Sequence, residues 1–352
     1  MTMASARSTP AVAEALITHR LCPDTPQWRG AISIVTMLSC MMVGPCLPFL
    51  AVALYATDRT VAGGLLATVI ALSYPIAFQS PKWCRFYLES AGWFRKGVFL
   101  HFEPRAVEAV KENASLWCMH PHGTAMGFGF SLNGAIRLRA DDDARYMPQG
   151  FADALAEDRK RSCDGVMAPV LFRIPFLRNA LFGFGCCTHA TKAGMFSLFK
   201  KGRDFGILPG GMEEVALYRE GTDRVFLRTR AGFVKYALQH GYLLQPAYTF
   251  GESDLYSSLQ HPLYRAFCLF TLRRFGFVVP CFWGPRMWCP LLPRDDIPLN
   301  TVVGRPVLLP KTPNPTNEDV AKWHAAYIAA IQGLFDTYKA RFGYADRVLD
   351  VQ

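Results

Sequence analysis

The sequence is short of charge: 19% of its 352 residues are Asp, Glu, Lys or Arg, where soluble proteins carry about 25%. With 51% hydrophobic residues, disorder and fibrous architectures are excluded, and part of the chain is expected to lie in lipid. It also lacks paired cysteines. The eleven present are an odd number with no C-x-x-C pair and no regular spacing, which argues against a disulfide framework and for reduced thiols in the cytosol. Several catalytic signatures are missing: there is no G-x-S-x-G elbow, no Walker loop and no H-E-x-x-H, and Gly127-Phe128-Gly129 does not extend to a dinucleotide fingerprint. Zinc fingers, basic-leucine heptads and ribonucleoprotein boxes are absent too, so no nucleic-acid partner is expected. The formal charge of +10 then suits an acidic membrane face or a phosphate-bearing substrate.

What is present begins with two uncharged runs. Residues 31–57 carry no charge for 27 positions, Asp58 and Arg59 interrupt, and residues 60–81 carry none for 22 more. Each run exceeds the roughly 20 residues that cross about 30 Å of hydrocarbon. Arg7, Arg20 and Arg29 precede the pair and Lys82, Arg85, Arg95 and Lys96 follow it, so the positive-inside rule puts both ends in the cytosol. We read residues 1–30 as a cytosolic segment, 31–81 as a membrane hairpin and 82–352 as one α/β domain. Gly44, Pro45 and Pro48 interrupt the first run, which leaves two spans and one re-entrant hairpin both open.

Beyond Pro81, short apolar runs alternate with amphipathic stretches bounded by Gly and Pro. Residues 116–119 read as a strand ending in His120-Pro121-His122-Gly123, and 124–138 as the helix that follows. Residues 192–201 read as a helix, 205–208 as a buried strand with Pro209-Gly210-Gly211 behind it, and 233–239 as a helix closed by Gly241. Val320, Trp323, Tyr327, Ile331, Leu334 and Tyr338 recur at helical spacing, with Thr316 a candidate cap.

Two histidines around a proline at a strand end face the crevice where open α/β sheets bind ligands. A neutral imidazole there can take a proton from an alcohol. The alternative is a structural turn with two exposed histidines. The second anchor is Gly210-Gly211-Met212-Glu213-Glu214, where Glu214 is our choice of carboxylate, although composition does not separate it from Glu213 and a solvated acidic turn competes. His-x-His could hold a metal, but His189, His240, His261 and His324 are not in ligand spacing, and no metal is expected. Arg224, Arg228, Arg230 and Lys235 surround a helix start, where phosphates such as those of coenzyme A fit. Residues 264–293 mix aromatics with Arg265, Arg273, Arg274 and Arg286, as either an interfacial segment or an aromatic core would.

Together these motifs resemble the type-2 acyl-CoA:diacylglycerol acyltransferase family, with its monoacylglycerol and wax-alcohol acyltransferases. The match takes in the hydrophobic hairpin, His120-Pro121-His122-Gly123, residues 174–179 ending in Arg178-Asn179, the Gly210-Gly211-x-x-Glu214 turn and Arg230-Ala231-Gly232-Phe233-Val234. It continues in Phe250-Gly251-Glu252, Gly284-Pro285-Arg286, Gly304-Arg305-Pro306 and the final helix with His324, Tyr327 and Lys339. The resemblance implies a glycerolipid-acyltransferase-like fold and an endoplasmic-reticulum membrane enzyme, with lipid droplets as a second location. It would esterify diacylglycerol, or else monoacylglycerol or a fatty alcohol, with acyl-CoA as co-substrate and no cofactor. His122 would be the general base, Glu214 its carboxylate partner or a substrate anchor, and His120 a supporting donor. Pro121, Gly123, Arg178, Asn179, Gly210, Gly211 and Arg230 would bind substrate. A homo-oligomer is left open, and a non-enzymatic lipid-binding protein is the competing class.

The sequence departs from the family pattern in places. Met126 stands four residues after His122, where related soluble-type acyltransferases place an aspartate, so the carboxylate partner is inferred. His101-Phe102-Glu103-Pro104 replaces the usual Tyr-Phe-Pro, and Pro246-Ala247-Tyr248 replaces Pro-Val-Tyr.

Overall fold

A computed structural model describes residues 15–112, 114–139 and 163–352. The fold is mixed α/β. In chain order the strands are β1 Ile17–Arg20, β2 Val98–Phe102, β3 Ser115–His120, β4 Asp164–Met167, β5 Cys187–His189, β6 Phe205–Ile207, β7 Arg224–Val225, β8 Leu243–Phe250, β9 Ser257–Ser258, β10 Phe282–Trp283, β11 Leu299–Val303 and β12 Asp350–Val351. Eight of them form one sheet in the order β1-β2-β11-β8-β3-β6-β4-β5, and β9–β10 and β7–β12 make two small ribbons. At the centre β8, β3, β6 and β4 run parallel, while β8–β11 and β1–β2 are antiparallel. Strand β8 is buried at every position, as expected of a central strand covered on both faces.

One face of the sheet carries the helix Asn317–Tyr338, whose Tyr327, Ile331, Leu334, Phe335 and Tyr338 are its buried side. The expected spacing holds. Thr316 caps it, accepting from the Asp319 amide while Asp319 reaches back to the Thr316 amide, a reciprocal pair that satisfies two otherwise unpaired donors. The helix Gly232–His240 closes on Gly241 at φ 70°.

The segment expected as one helix over 124–138 is broken. Only Phe128–Asn133 is α-helical, and a 3-10 turn, Ala135–Arg139, follows. Gly127 sits at φ 57°, and Glu252 accepts from the amides of Phe128 and Gly129 at 2.9 and 2.8 Å. A carboxylate on the first free amides fixes the helix start at Phe128 rather than Thr124.

The N-terminal apolar region divides in two. Helix α1, Gln27–Met42, buries Gly30, Ser33, Ile34, Met37 and Leu38; the last three share a cluster with Tyr87, Leu88, Trp93 and Phe184, and Ser33 hydrogen-bonds Ser90 at 2.7 Å. A 3-10 turn at Gly44–Cys46 leads to α2, Leu47–Ala56, and a short link leads to α3, Thr60–Ser73. The last two pack closely, since a Cβ at Gly63 would lie 2.8 Å from the backbone of Ala51 and Tyr55. Their outward side chains are bare: Phe49, Val52, Tyr55, Val61, Leu65 and Leu72 are all exposed. Residues 27–56 are long and apolar enough to cross a bilayer. The 14-residue α3 extends about 21 Å, short of a hydrocarbon core, so the 60–81 run is helical only in its first part.

Candidate active site

Three adjacent parallel strands, β8, β3 and β6, end on one edge of the sheet. Beyond β3 lies Pro121-His122-Gly123, beyond β6 the Pro209-Gly210 turn into the helix Gly211–Ala216, and beyond β8 Gly251-Glu252. Topology alone therefore gathers the two histidines, Glu214 and Glu252 from three separated stretches of sequence at the place where parallel sheets carry ligand sites.

His120 closes β3 and is 1% exposed. Its Nε2 lies 2.9 Å from the Tyr327 hydroxyl. Its Nδ1 faces Glu214 Oε1 at 3.9 Å, beyond hydrogen-bond reach. The Glu214 carboxylate is buried and accepts from the His122 amide at 2.7 Å through Oε2 and from the Phe226 amide at 2.9 Å through Oε1. It thus ties the His-Pro-His-Gly turn to the segment after β7. A Cβ at Gly210 would fall on that carboxylate, so only glycine lets Glu214 fold back over the start of its own helix.

The His122 side chain is partly open to solvent, and its Nδ1 has no hydrogen-bond partner among the described residues. Desolvation pushes its pKa below the ordinary 6.5, opposed by the nearby Glu214 charge and by the backbone of His122 and Gly123. The result is an imidazole that is neutral at pH 7, with its Nδ1 buried and without a partner among the described residues. Tyr327 is fully buried, and burial holds its hydroxyl well above the ordinary range. It stays a neutral partner for His120.

Glu252 lies beneath the turn. Gly123 is at φ 69°, and a Cβ there would come 2.5 Å from Glu252 Oε1, so turn geometry and close approach both demand glycine. Burial raises the Glu252 carboxyl to about 7, with the Gly129 and Phe128 amides acting against it. The sequence puts Tyr327 on a helical apolar stripe, and both Tyr327 and Glu252 in motifs of the family resemblance, without pointing to either as a site residue. The signal for Glu252 is its place two residues after the buried strand β8.

A cleft between the two turns is lined by Pro121, Gly123, Glu214, Tyr218, Arg219 and Ser253. Arg224 at its border pairs with Asp350 at 2.7 Å, and Arg230 pairs with Glu213. Arg228 and Lys235 stay exposed. Gly210 and Gly211 line the turn itself. Arg178 and Asn179 make their contacts elsewhere: Asn179 Nδ2 donates to the Ser73 and Ile76 carbonyls at 2.7 and 2.8 Å, and Arg178 donates to the Tyr74 carbonyl and stacks on Phe182. They hold the end of α3, whose last carbonyls have no partner within the helix.

Residues 146–352, more than half of the chain, match the family model for diacylglycerol acyltransferase. The chain belongs to the diacylglycerol acyltransferase family. Acyl-CoA wax alcohol acyltransferase 2 of Mus musculus is 37% identical over 193 residues, 50% of this chain and 55% of that protein. Diacylglycerol O-acyltransferase 2 of Xenopus tropicalis is 35% identical over 185 residues, 50% of this chain and 51% of that protein. The chain spans about half the length of these curated relatives. A Thermotoga maritima 1-acyl-sn-glycerophosphate acyltransferase superposes over 84% of this chain and 96% of its own, with a TM-score of 0.38 at 12% identity, too loose an overlap to assign a shared fold. The matched span of the family model contains Glu214, Glu252 and Tyr327, whereas His120-Pro121-His122-Gly123 precedes it.

Proposed function

We propose that this protein is a membrane-bound, acyl-CoA-dependent O-acyltransferase that esterifies diacylglycerol to triacylglycerol, with His122 as general base. The observation that carries the reading is the Glu214 carboxylate on the His122 amide, which sets a neutral, partly open imidazole at the strand-end rim. Membership of the diacylglycerol acyltransferase family supports the reaction class.

In this reading the acceptor hydroxyl lies against the His122 ring. The imidazole takes its proton as the oxygen attacks the thioester carbonyl, giving a tetrahedral intermediate. Collapse breaks the carbon–sulfur bond, the imidazolium returns the proton to the leaving thiolate, and ester and free CoA depart. No acyl-enzyme is needed, because positioning the two substrates together supplies the main gain. Glu214 and Glu252 act by holding the turn, and Glu214 also stabilises positive charge forming on either imidazole. His120, fixed by Tyr327, supports the turn from inside.

The apolar helices α1 to α3 support attachment to a membrane; the endoplasmic reticulum as its place, with both termini in the cytosol and lipid droplets as a second location, is part of the proposal and rests on the flanking charges and the family resemblance. A fatty-alcohol acceptor is the second reading, favoured by the 37% identity to a wax alcohol acyltransferase. The test is expression in cells lacking neutral-lipid synthesis, with their membranes given labelled acyl-CoA and diacylglycerol, monoacylglycerol or hexadecanol side by side. Triacylglycerol as the main product supports the proposal. Wax ester instead moves the acceptor, and no product with any acceptor contradicts the enzyme.

A further inference from the structure

The exposed large apolar side chains fall into two groups along the chain. Among the described residues, all but Ile17, Leu308 and Val348 lie either between Trp28 and Phe78 or between Leu259 and Trp288. The first group is the apolar α1–α3 region. The second has no counterpart in that account. Its helix, Pro262–Phe275, turns Cys268 and Thr271 inward, and Cys268 and Val278 pack with Val215 and Ala216 of the helix Gly211–Ala216. The outward side presents Leu263, Phe267 and Phe270 at helical spacing, 75%, 49% and 58% exposed. Trp283, Met287 and Trp288 follow on the next segment, Met287 being 98% exposed.

The charge on this surface has one sign. Residues 261–293 contain four arginines and neither Asp, Glu nor Lys. Arg286 is neutralised by Asp295 at 3.0 Å, but Arg265, Arg273 and Arg274 are exposed and form no ion pair among the described residues. A shallow groove along the helix is flanked by Phe270, Arg273 and Arg274. A soluble helix does not keep phenylalanines and unpaired guanidinium groups side by side in water over its whole outer face. Apolar side chains at the level of tryptophans, with cations around them, match the boundary between acyl chains and anionic headgroups. A second copy of the same face would set three unpaired arginines against three others.

We infer that the helix Pro262–Phe275 and the Trp283–Trp288 segment form a second membrane-docking surface, separate in sequence from α1–α3, that lies in the interface of an anionic bilayer. Because the inner side of this helix packs on the helix that bears Glu214, docking sets the catalytic rim against the membrane surface from which an apolar acceptor arrives. The inference does not depend on which acceptor is used or on His122.

The full chain is reconstituted into phosphatidylcholine vesicles, with or without phosphatidylserine, that carry a phospholipid with a photoactivatable acyl chain, and labelled peptides are mapped by mass spectrometry. Residues 263–288 should be labelled several-fold above the exposed side of the helix Asn317–Tyr338, and several-fold more with phosphatidylserine present. Phe267→Asp with Phe270→Asp should abolish that labelling, and Arg273→Glu with Arg274→Glu should remove its dependence on lipid charge. Labelling of residues 47–73 should persist in every variant, which separates loss of docking from loss of folding. Labelling of 263–288 no higher than the control helix, labelling indifferent to lipid charge, or cross-linking of 263–288 to a second copy of the chain would each overturn the inference.

Discussion

Glu214 meets the two histidines in different ways: its Oε2 takes the His122 backbone amide at 2.7 Å, while its Oε1 stands 3.9 Å from the His120 ring. The carboxylate therefore fixes the turn through the main chain, and on the proposed mechanism this positions the base. Glu214→Gln keeps one acceptor but turns an NH2 group toward the Phe226 or His122 amide, donor against donor. We expect kcat to fall by about a hundredfold, with KM for acyl-CoA little changed. Steady-state assays of the purified variant check this, and an unchanged kcat would remove Glu214 from the site.

Desolvation keeps the His122 pKa below 6.5, and the base must be neutral to act. Activity is expected to rise with pH along an acid limb lying below 6.5 and to be level through neutrality, as read from log kcat/KM against pH. For stability the sign is the same: below 6.5 the unfolded chain takes up a proton that folded His122 resists, so this group costs stability as pH falls through its folded value.

Glu252 runs in the opposite direction. Its folded pKa of about 7 stands above the ordinary 4.5, so the folded chain holds the proton more tightly, and stability from this group is lost as pH rises from 4.5 through 7, by about 3 kcal/mol in total. Glu252→Gln should flatten the dependence of Tm on pH across that window. A variant whose Tm still tracks wild type from pH 4.5 to 7 would contradict the assignment.

Asn179 and Arg178 hold backbone carbonyls at the end of α3. Asn179→Ala removes the side-chain donor to the Ser73 and Ile76 carbonyls, of which Ser73 keeps the Ile76 amide at 3.3 Å, and should cost about 1 kcal/mol, seen as a lower Tm in detergent, with KM for acyl-CoA unchanged. A raised KM at constant Tm would return the pair to substrate binding.

Tyr327→Phe removes the hydroxyl that fixes His120. A loss of about 1 kcal/mol in stability and a smaller fall in kcat than for Glu214→Gln are expected, measured on matched protein.

The two rim turns of the candidate site were legible because each is a local signal. His-Pro-His-Gly and Gly-Gly-x-x-Glu each follow an apolar run, and strand, turn and chemistry lie within ten residues. The long C-terminal helix and its Thr316 cap were legible for the same reason. Long-range partners were not. Nothing local to Glu252 tells that its carboxylate caps a helix 124 and 123 residues away, and that cap, with Gly127 in the left-handed region, is what broke the helix expected over 124–138. Likewise most of α1 and all of α2 lie in one uncharged run from residue 31 onward, so charge patterning could not tell that one face of α1 belongs to the core through Ser33 and Gly30 while α2 and α3 stand bare. Arg178 and Asn179 enter as substrate-binding residues only through the family resemblance, and their partners in the fold lie more than a hundred residues upstream at the end of α3.

The most direct test of the account is acyl transfer by His122→Ala beside wild type, in membranes matched for protein and supplied with acyl-CoA and diacylglycerol. The account predicts triacylglycerol formation reduced by about a hundredfold or more with folding and membrane retention intact. Wild-type rates in the variant would contradict His122 as the base.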